Sequence, residues 1–156
     1  MVLMLENMSE ERAITILSWK YEPPYDFYNN EITDENMKEL LDGTYYAIVN
    51  DDKQLVGFYC TGESAQVPKA KRIGLYSDDA IDLGLGMMPN LVGKGNGFHF
   101  CSFILRAIED KYKGIPIRLT VAKFNQRAIH LYEKLGFVKK DEFNTGFAEF
   151  MTMVIK

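Results

Sequence analysis

Some residues of this chain have types and spacings that could do chemistry. In Val92-Gly93-Lys94-Gly95-Asn96-Gly97, glycines alternate between an apolar segment and a long apolar-periodic one. Downstream, Asn125, Ala128 and Tyr132 recur at helical spacings, which puts them on one face of a helix. Near the start, Tyr21-Glu22-Pro23-Pro24-Tyr25-Asp26-Phe27-Tyr28-Asn29-Asn30-Glu31 mixes aromatics with carboxylates, and no basic residue appears through Glu35.

The glycines suit an anion. The first N–H groups of a helix have no internal partner, the helix dipole is positive there, and a backbone without Cβ lets a phosphate approach. Spacing excludes two phosphate loops. A P-loop needs glycine, four residues and then Gly-Lys-Ser/Thr, but Gly95 follows Lys94, and Met88 stands five places before Gly93. A dinucleotide fingerprint starting at Gly93 or Gly95 needs glycine or alanine at 98 or 100, where Phe98 and Phe100 stand. The plain alternative is a tight turn between strand and helix.

The other groups also admit two readings each. Asn125 is a good N-cap and Gly136 a good residue just past the helix end. A ligand along the helix face would meet the Asn125 amide and the Tyr132 hydroxyl together; otherwise Asn125 only caps and Tyr132 only packs. In Asp82-Leu83-Gly84-Leu85-Gly86, two glycines within a strand mark a bulge, a close ligand approach, or merely a twisted strand. Aromatics and carboxylates around Tyr25, Asp26 and Tyr28 suit a cationic amine, or else belong to a surface loop that helps close the core.

The elements that must position these groups follow from pattern. Residues 2–6 read as a strand. Ser9 caps a helix ending near Trp19, residues 19–30 are a loop or broken helix, and Thr33 opens a helix to Leu41 that Gly43 ends. Residues 45–49 and 55–61 form a hairpin around Asn50-Asp51-Asp52-Lys53. Residues 62–79 read mostly as loop and 81–88 as a strand. A helix over 96–111 carries Phe98, Cys101, Leu105 and Ile108 on one face. Residues 117–121 are a strand, 125–135 a helix, and 137–140 and 149–155 the last two strands. The order predicts an α/β mixed sheet with helices on its faces, in a single domain over residues 1–156.

Composition narrows the function. With 47% hydrophobic and 26% charged residues the chain is of ordinary globular type. Net charge is −4, whereas duplex nucleic acid requires a basic face, so nucleic acid is not an expected partner. The apolar run at the N-terminus is too short for a signal peptide or membrane span, so the expectation is a cytoplasmic protein with no membrane partner. Cys60 and Cys101 sit in apolar runs and read as reduced core residues. Two histidines and no paired Cys/His spacing give no support to a metal site.

The glycine loop resembles the Gln/Arg-x-x-Gly-x-Gly/Ala loop of the GNAT acyl-CoA N-acyltransferases, with Met87-Met88-Pro89 matching the hydrophobic-x-Pro before it. Val92 departs from the Gln or Arg of that pattern. A second segment agrees with Val-x-x-x-Asn-x-x-Ala-x-x-x-Tyr-x-x-x-Gly-Phe at Val121, Asn125, Ala128, Tyr132, Gly136 and Phe137. These motifs lie within residues 81–137; the first 80 residues match in element order alone.

The resemblance implies a mixed, mostly antiparallel sheet of six to seven strands, with helices on both faces and a splay between the fourth and fifth strands. It implies direct transfer of an acetyl group from acetyl-CoA, as cosubstrate, to a primary amine of a small molecule or peptide. Residues Val92, Gly93, Lys94, Gly95, Asn96 and Gly97 would take the pyrophosphate. The backbone at Leu85, Gly86 and Met87 would pair with pantetheine, Asn125 would meet the same ligand, and Tyr132 matches the general acid. An amine, with a pKa of about 10, must lose a proton before attack. Some members place a base five positions before the asparagine, where Thr120 cannot serve. Others place it near the start of the preceding strand, where Asp82 stands one residue out of register. Asp82 is therefore a candidate base, against the plainer reading of a solvated strand-end carboxylate, with deprotonation through water or in solution as the other route. Tyr25, Asp26 and Tyr28 are the candidate acceptor residues, and the resemblance is compatible with a homodimer. From a different class, a module that binds acyl-CoA without turnover, or a nucleotide-binding protein, would explain the loop as well.

Overall fold

The structure, a computed structural model, describes residues 1–156. Its strands are β1 (Leu3–Asn7), β2 (Tyr45–Asn50), β3 (Leu55–Thr61), β4 (Ile81–Met87), β5 (Ile117–Ala122), β6 (Val138–Asn144) and β7 (Glu149–Ile155). Its helices are α1 (Glu10–Ser18), α2 (Asp34–Leu40), α3 (Pro68–Arg72), α4 (Gly97–Lys111) and α5 (Gln126–Lys134). The strands make one seven-stranded mixed sheet in the order β1-β2-β3-β4-β5-β7-β6. The chain forms two compact units, Met1–Cys60 with Leu85–Asn96, and Thr61–Gly84 with Gly97–Lys156.

In the first unit, β1, β2 and β3 pair antiparallel, with a bulge between Ile48 and Val49. Asn50 builds the β2–β3 turn: its Oδ1 accepts from the N–H groups of Asp52 and Gln54, both at 3.0 Å, and Lys53 takes a positive φ of 64°. Both helices start where side-chain caps are available. Ser9 Oγ accepts from Arg12 N at 3.2 Å, and Thr33 Oγ1 accepts from Asn36 N at 3.1 Å. Ala13, Leu17 and Leu40 form a core with Met8, Met37 and Tyr45 against it. Ala47, Ile48 and Val49 are buried in succession, the mark of a strand covered on both faces.

In the second unit, β4 and β5 run parallel and pair over three rungs, Ile81↔Ile117, Asp82↔Arg118 and Leu83↔Leu119. This is a short pairing for strands of seven and six residues. β5 pairs antiparallel with β7 over its whole length, and β7 with β6, whose exposed Lys139 and Lys140 protect a sheet edge.

Several expectations change. The segment 62–79 holds α3, opened by Pro68 at its first turn and carrying Lys69, Lys71 and Arg72 in its last. The buried stripe of α4 is Phe100, Cys101, Ile104 and Ile108; Phe98 is 53% exposed because it stands about 200° around the helix from Phe100. β6 extends to Asn144 because β7 pairs with it that far. Cys60 and Cys101 are buried and form no disulfide, and burial pushes the Cys101 thiol up to about 12. No helix is long and apolar enough to cross a membrane.

Candidate active site

The loop between β4 and α4 begins with a single helical turn at Pro89–Leu91, closed by Val92 N–H donating to the Pro89 carbonyl at 3.2 Å. Gly93 and Gly95 then take φ values of 75° and 83°, the left-handed region that side chains disfavour. Asn96 Nδ2 donates back to the Leu91 carbonyl at 3.0 Å, tying the loop across its neck. Gly97 is glycine for another reason. It is the first residue of α4, and a Cβ there would lie 2.9 Å from Leu131 Cδ2. Residues 93–95 are exposed, so their backbone is open to a ligand at the start of a fifteen-residue helix.

α5 carries the second motif. Asn125 caps it, with Oδ1 accepting from Ala128 N at 3.1 Å. Gly136, with φ at 104°, lets the chain leave, and Phe137 N–H donates to the Tyr132 carbonyl at 3.0 Å. The Tyr132 ring is buried and meets Phe137 edge-on, centroids 5.9 Å apart. Asn125 and Tyr132 thus stand at opposite ends of one helix, about 10 Å apart along its axis.

β4 holds the backbone expected to meet pantetheine. Its glycine at 86 answers to protein packing: a Cβ there would lie 2.4 Å from Phe58 Cε1. Of the bulge, close ligand approach or twisted strand read from the sequence here, the structure shows a close approach by the Phe58 ring, a protein side chain. The Met87 carbonyl also has a protein partner, since Tyr21 Oη donates to it at 2.7 Å. Tyr25, Asp26 and Tyr28 share the turn Tyr25–Tyr28, with Asp26 exposed. Tyr21 lies at the neck of the same loop, its N–H donating to Asn29 Oδ1 at 2.8 Å.

Asp82 is not the solvated strand-end carboxylate of the plainer reading. It is 5% exposed and sits opposite the 1% exposed Arg118. Arg118 Nε donates to Oδ1 at 2.6 Å, Arg118 Nη2 to Oδ2 at 2.9 Å, and Gln66 Nε2 to Oδ2 at 2.7 Å. Arg118 also reaches the carbonyls of Tyr76 and Asp78 and lies 5.1 Å from the Tyr76 ring centre. Its hydrogen bonds to Asp82 hold the guanidinium above its ordinary value. Both Asp82 oxygens therefore already accept from N–H donors, and a proton taken there would be placed against a buried cation. Thr120, at the other position considered for a base, shares a 2.8 Å hydrogen bond with Tyr76 Oη.

The structure thus gathers residues 93–96 in one loop with Gly97 opening α4, Asn125 as the cap of the helix that carries Tyr132, and Tyr25, Asp26 and Tyr28 in one turn. It places Asp82 in a separate buried ion pair. Sequence reasoning missed Arg118 and Tyr21. The signal for the first was present: Asp82 and Arg118 are each the second residue, and the charged one, of the strands Ile81-Asp82-Leu83 and Ile117-Arg118-Leu119.

Comparison with known families decides the assignment. The family model described as the acetyltransferase (GNAT) family matches residues 10–137. The chain belongs to the acetyltransferase (GNAT) family. No curated protein matches. Among solved structures, a GNAT-family acetyltransferase from Bacillus anthracis superposes with a TM-score of 0.73 at 12% identity, over 99% of this chain and 95% of that one. An aminoglycoside acetyltransferase in complex with coenzyme A gives 0.72 at 15% identity, over 99% and 94%. Spermidine N-acetyltransferase from Vibrio cholerae, in complex with CoA and spermine, gives 0.69 at 20% identity, over 98% and 94%. As a GNAT protein the chain is an acetyltransferase, and its seven-stranded mixed sheet is the GNAT fold.

Proposed function

We propose that this GNAT protein transfers the acetyl group of acetyl-CoA directly to a primary amine of a cationic small molecule or peptide. The observation that carries the reading is the loop at Gly93 and Gly95, held in left-handed conformation and exposed immediately before α4. Its amides receive the pyrophosphate, with Lys94 adding a positive charge, and Val92 contributes backbone only. The strand at Leu85 and Gly86 lies alongside the pantetheine arm; the Met87 carbonyl is engaged while Tyr21 donates to it. The amine nitrogen attacks the thioester carbonyl, the C–S bond breaks, and Tyr132 Oη gives its proton to the departing thiolate. The ammonium loses one proton to water before attack; the second leaves the nitrogen as the amide forms and passes through water to restore the Tyr132 phenol, because the oxygens of Asp82 are held by Arg118 and Gln66.

Charge supports a cationic acceptor. The unit that carries Tyr25, Asp26 and Tyr28 has twelve acidic and five basic side chains, a difference of −7, whereas the other has ten and thirteen, +3. The relatives named above include enzymes for spermidine and for aminoglycosides, both polycationic amines.

The test is thiol release from acetyl-CoA with spermidine, kanamycin and a lysine-rich peptide, each run against an amine-free control. Amine-dependent release with an acetylated product supports the reading. CoA binding without amine-dependent release from any of them would replace it with a non-catalytic acyl-CoA module.

A further inference from the structure

The loop from Lys20 to Asn30 is closed on itself at its neck by two adjacent residues. Tyr21 N–H donates to Asn29 Oδ1, Lys20 Nζ donates to the Asn30 carbonyl at 3.2 Å, and the turn carrying Tyr25, Asp26 and Tyr28 lies between. The same Tyr21 sends its side chain to β4, where its hydroxyl donates to the Met87 carbonyl. The direction of that carbonyl is fixed by elementary geometry. Met88 N–H donates to the Val56 carbonyl on β3 at 2.8 Å. The Met87 C=O belongs to the same trans peptide plane, so it points the opposite way, away from β3. A single aromatic residue therefore ties the acidic, aromatic loop to the side of β4 turned away from β3.

A phenol has one hydrogen to donate and two lone pairs to offer. The hydrogen is committed to Met87. Burial pushes the Tyr21 hydroxyl up to about 12, so it stays protonated through the neutral range and keeps that bond. The oxygen retains acceptor capacity; an ammonium nitrogen presents only donors to it, and a neutral primary amine can give it one N–H while keeping its lone pair for attack.

We propose that Tyr21 is a positioning residue for the acceptor amine: anchored on the Met87 carbonyl, its hydroxyl oxygen accepts a hydrogen bond from the incoming nitrogen and sets it against the strand that carries the acyl group. This rests on the acetyl-transfer reading above. Tyr25 and Tyr28, in the same loop, then line the approach, while Tyr21 fixes where the nitrogen stops.

The test is Tyr21→Phe, which keeps the ring and removes only the hydroxyl. Initial rates are measured with spermidine and acetyl-CoA each varied, alongside CoA affinity and thermal melting of both proteins. The expected result is an amine KM raised about tenfold, the scale of one hydrogen bond to a charged group. The KM for acetyl-CoA and CoA affinity should change less than about twofold. An active wild type whose Phe variant has unchanged amine KM overturns this inference alone. So does a rise in both KM values together with a lowered melting temperature, because that signature belongs to a loosened loop. A wild type that turns over no amine overturns the acetyl-transfer reading and this inference with it.

Discussion

At the scale of single residues, Tyr132 and Asp82 stand at opposite ends of a range. Tyr132 is half of a plain structural story, ring buried against Phe137, and in the proposed mechanism its hydroxyl is the proton source for the departing thiolate. Tyr132→Phe should lower kcat by about 10²- to 10⁴-fold, the usual contribution of a positioned acid, while CoA affinity holds; steady-state kinetics with calorimetry read both. Asp82 is the reverse case, a carboxylate with a chemical type and a structural task. Removing it strands Arg118 in a nearly solvent-free place. Asp82→Ala should cost about 3–5 kcal/mol, on the order of 10 °C in melting temperature for a chain of this size. Replacing the pair together, as Asp82→Leu with Arg118→Met, should recover much of that loss. The guanidinium is held above its ordinary value, so it remains charged across the whole working range and contributes no pH dependence there. Asp82→Asn should accordingly leave the acidic limb of the pH–rate profile where it was, and a displaced limb would restore Asp82 as a base.

At the scale of elements, the loops and strands show which parts of the site could be read in advance. The glycine loop and the α5 motif were legible because their information is local. A left-handed turn at Gly93 and Gly95, a cap at Asn125 and a helix exit at Gly136 each declare themselves within a few residues. Gly86 read as part of a bulge, a close ligand approach or a twisted strand, and the side chain that packs on it was not legible. Phe58 faces it from β3, and only the fold reveals that. The same holds for Tyr21 with Met87 and for Asp82 with Arg118, pairs separated by 66 and 36 positions. Gly86→Ala should destabilise by about 1–3 kcal/mol through overpacking, and adding Phe58→Leu should relieve part of it, so that chemical denaturation shows a sub-additive pair. The β6–β7 hairpin carries a pH signature of its own. Glu142, bonded to Lys123 and Lys139, is lowered from 4.5 to about 2. A depressed carboxyl stabilises the fold above its unfolded value and loses that support as pH falls through the folded one. Melting temperatures of the wild type and Glu142→Gln should therefore differ above about pH 4.5 and converge near pH 2, with salt narrowing the gap because the group is exposed.

At the scale of the whole molecule, the separation of charge between the two units, −7 against +3, hides within an unremarkable total of −4. It lies in the linear sequence, behind the total: residues 1–60 hold twelve acidic and four basic side chains, and the return of Leu85–Asn96 to the N-terminal unit adds only Lys94. For the proposed cationic acceptor, the excess of carboxylates in the unit that carries Tyr25, Asp26 and Tyr28 would supply long-range attraction, which ions screen over about 8–10 Å at physiological salt. Raising sodium chloride from 20 to 200 mM should raise the KM for spermidine several-fold and leave kcat nearly unchanged (both concentrations are roughly chosen to bracket that screening length). The buried cysteines have a practical corollary for every such measurement. A thiol whose proton leaves only near pH 12 is almost wholly undissociated at pH 8, and the Cys60 sulfur shares its near-complete exclusion from solvent. In a cuvette holding a chromogenic disulfide such as Ellman's reagent, the folded protein contributes almost no colour of its own. The yellow that develops then counts released CoA, so that a very slow transfer to an unfamiliar amine remains visible above the baseline.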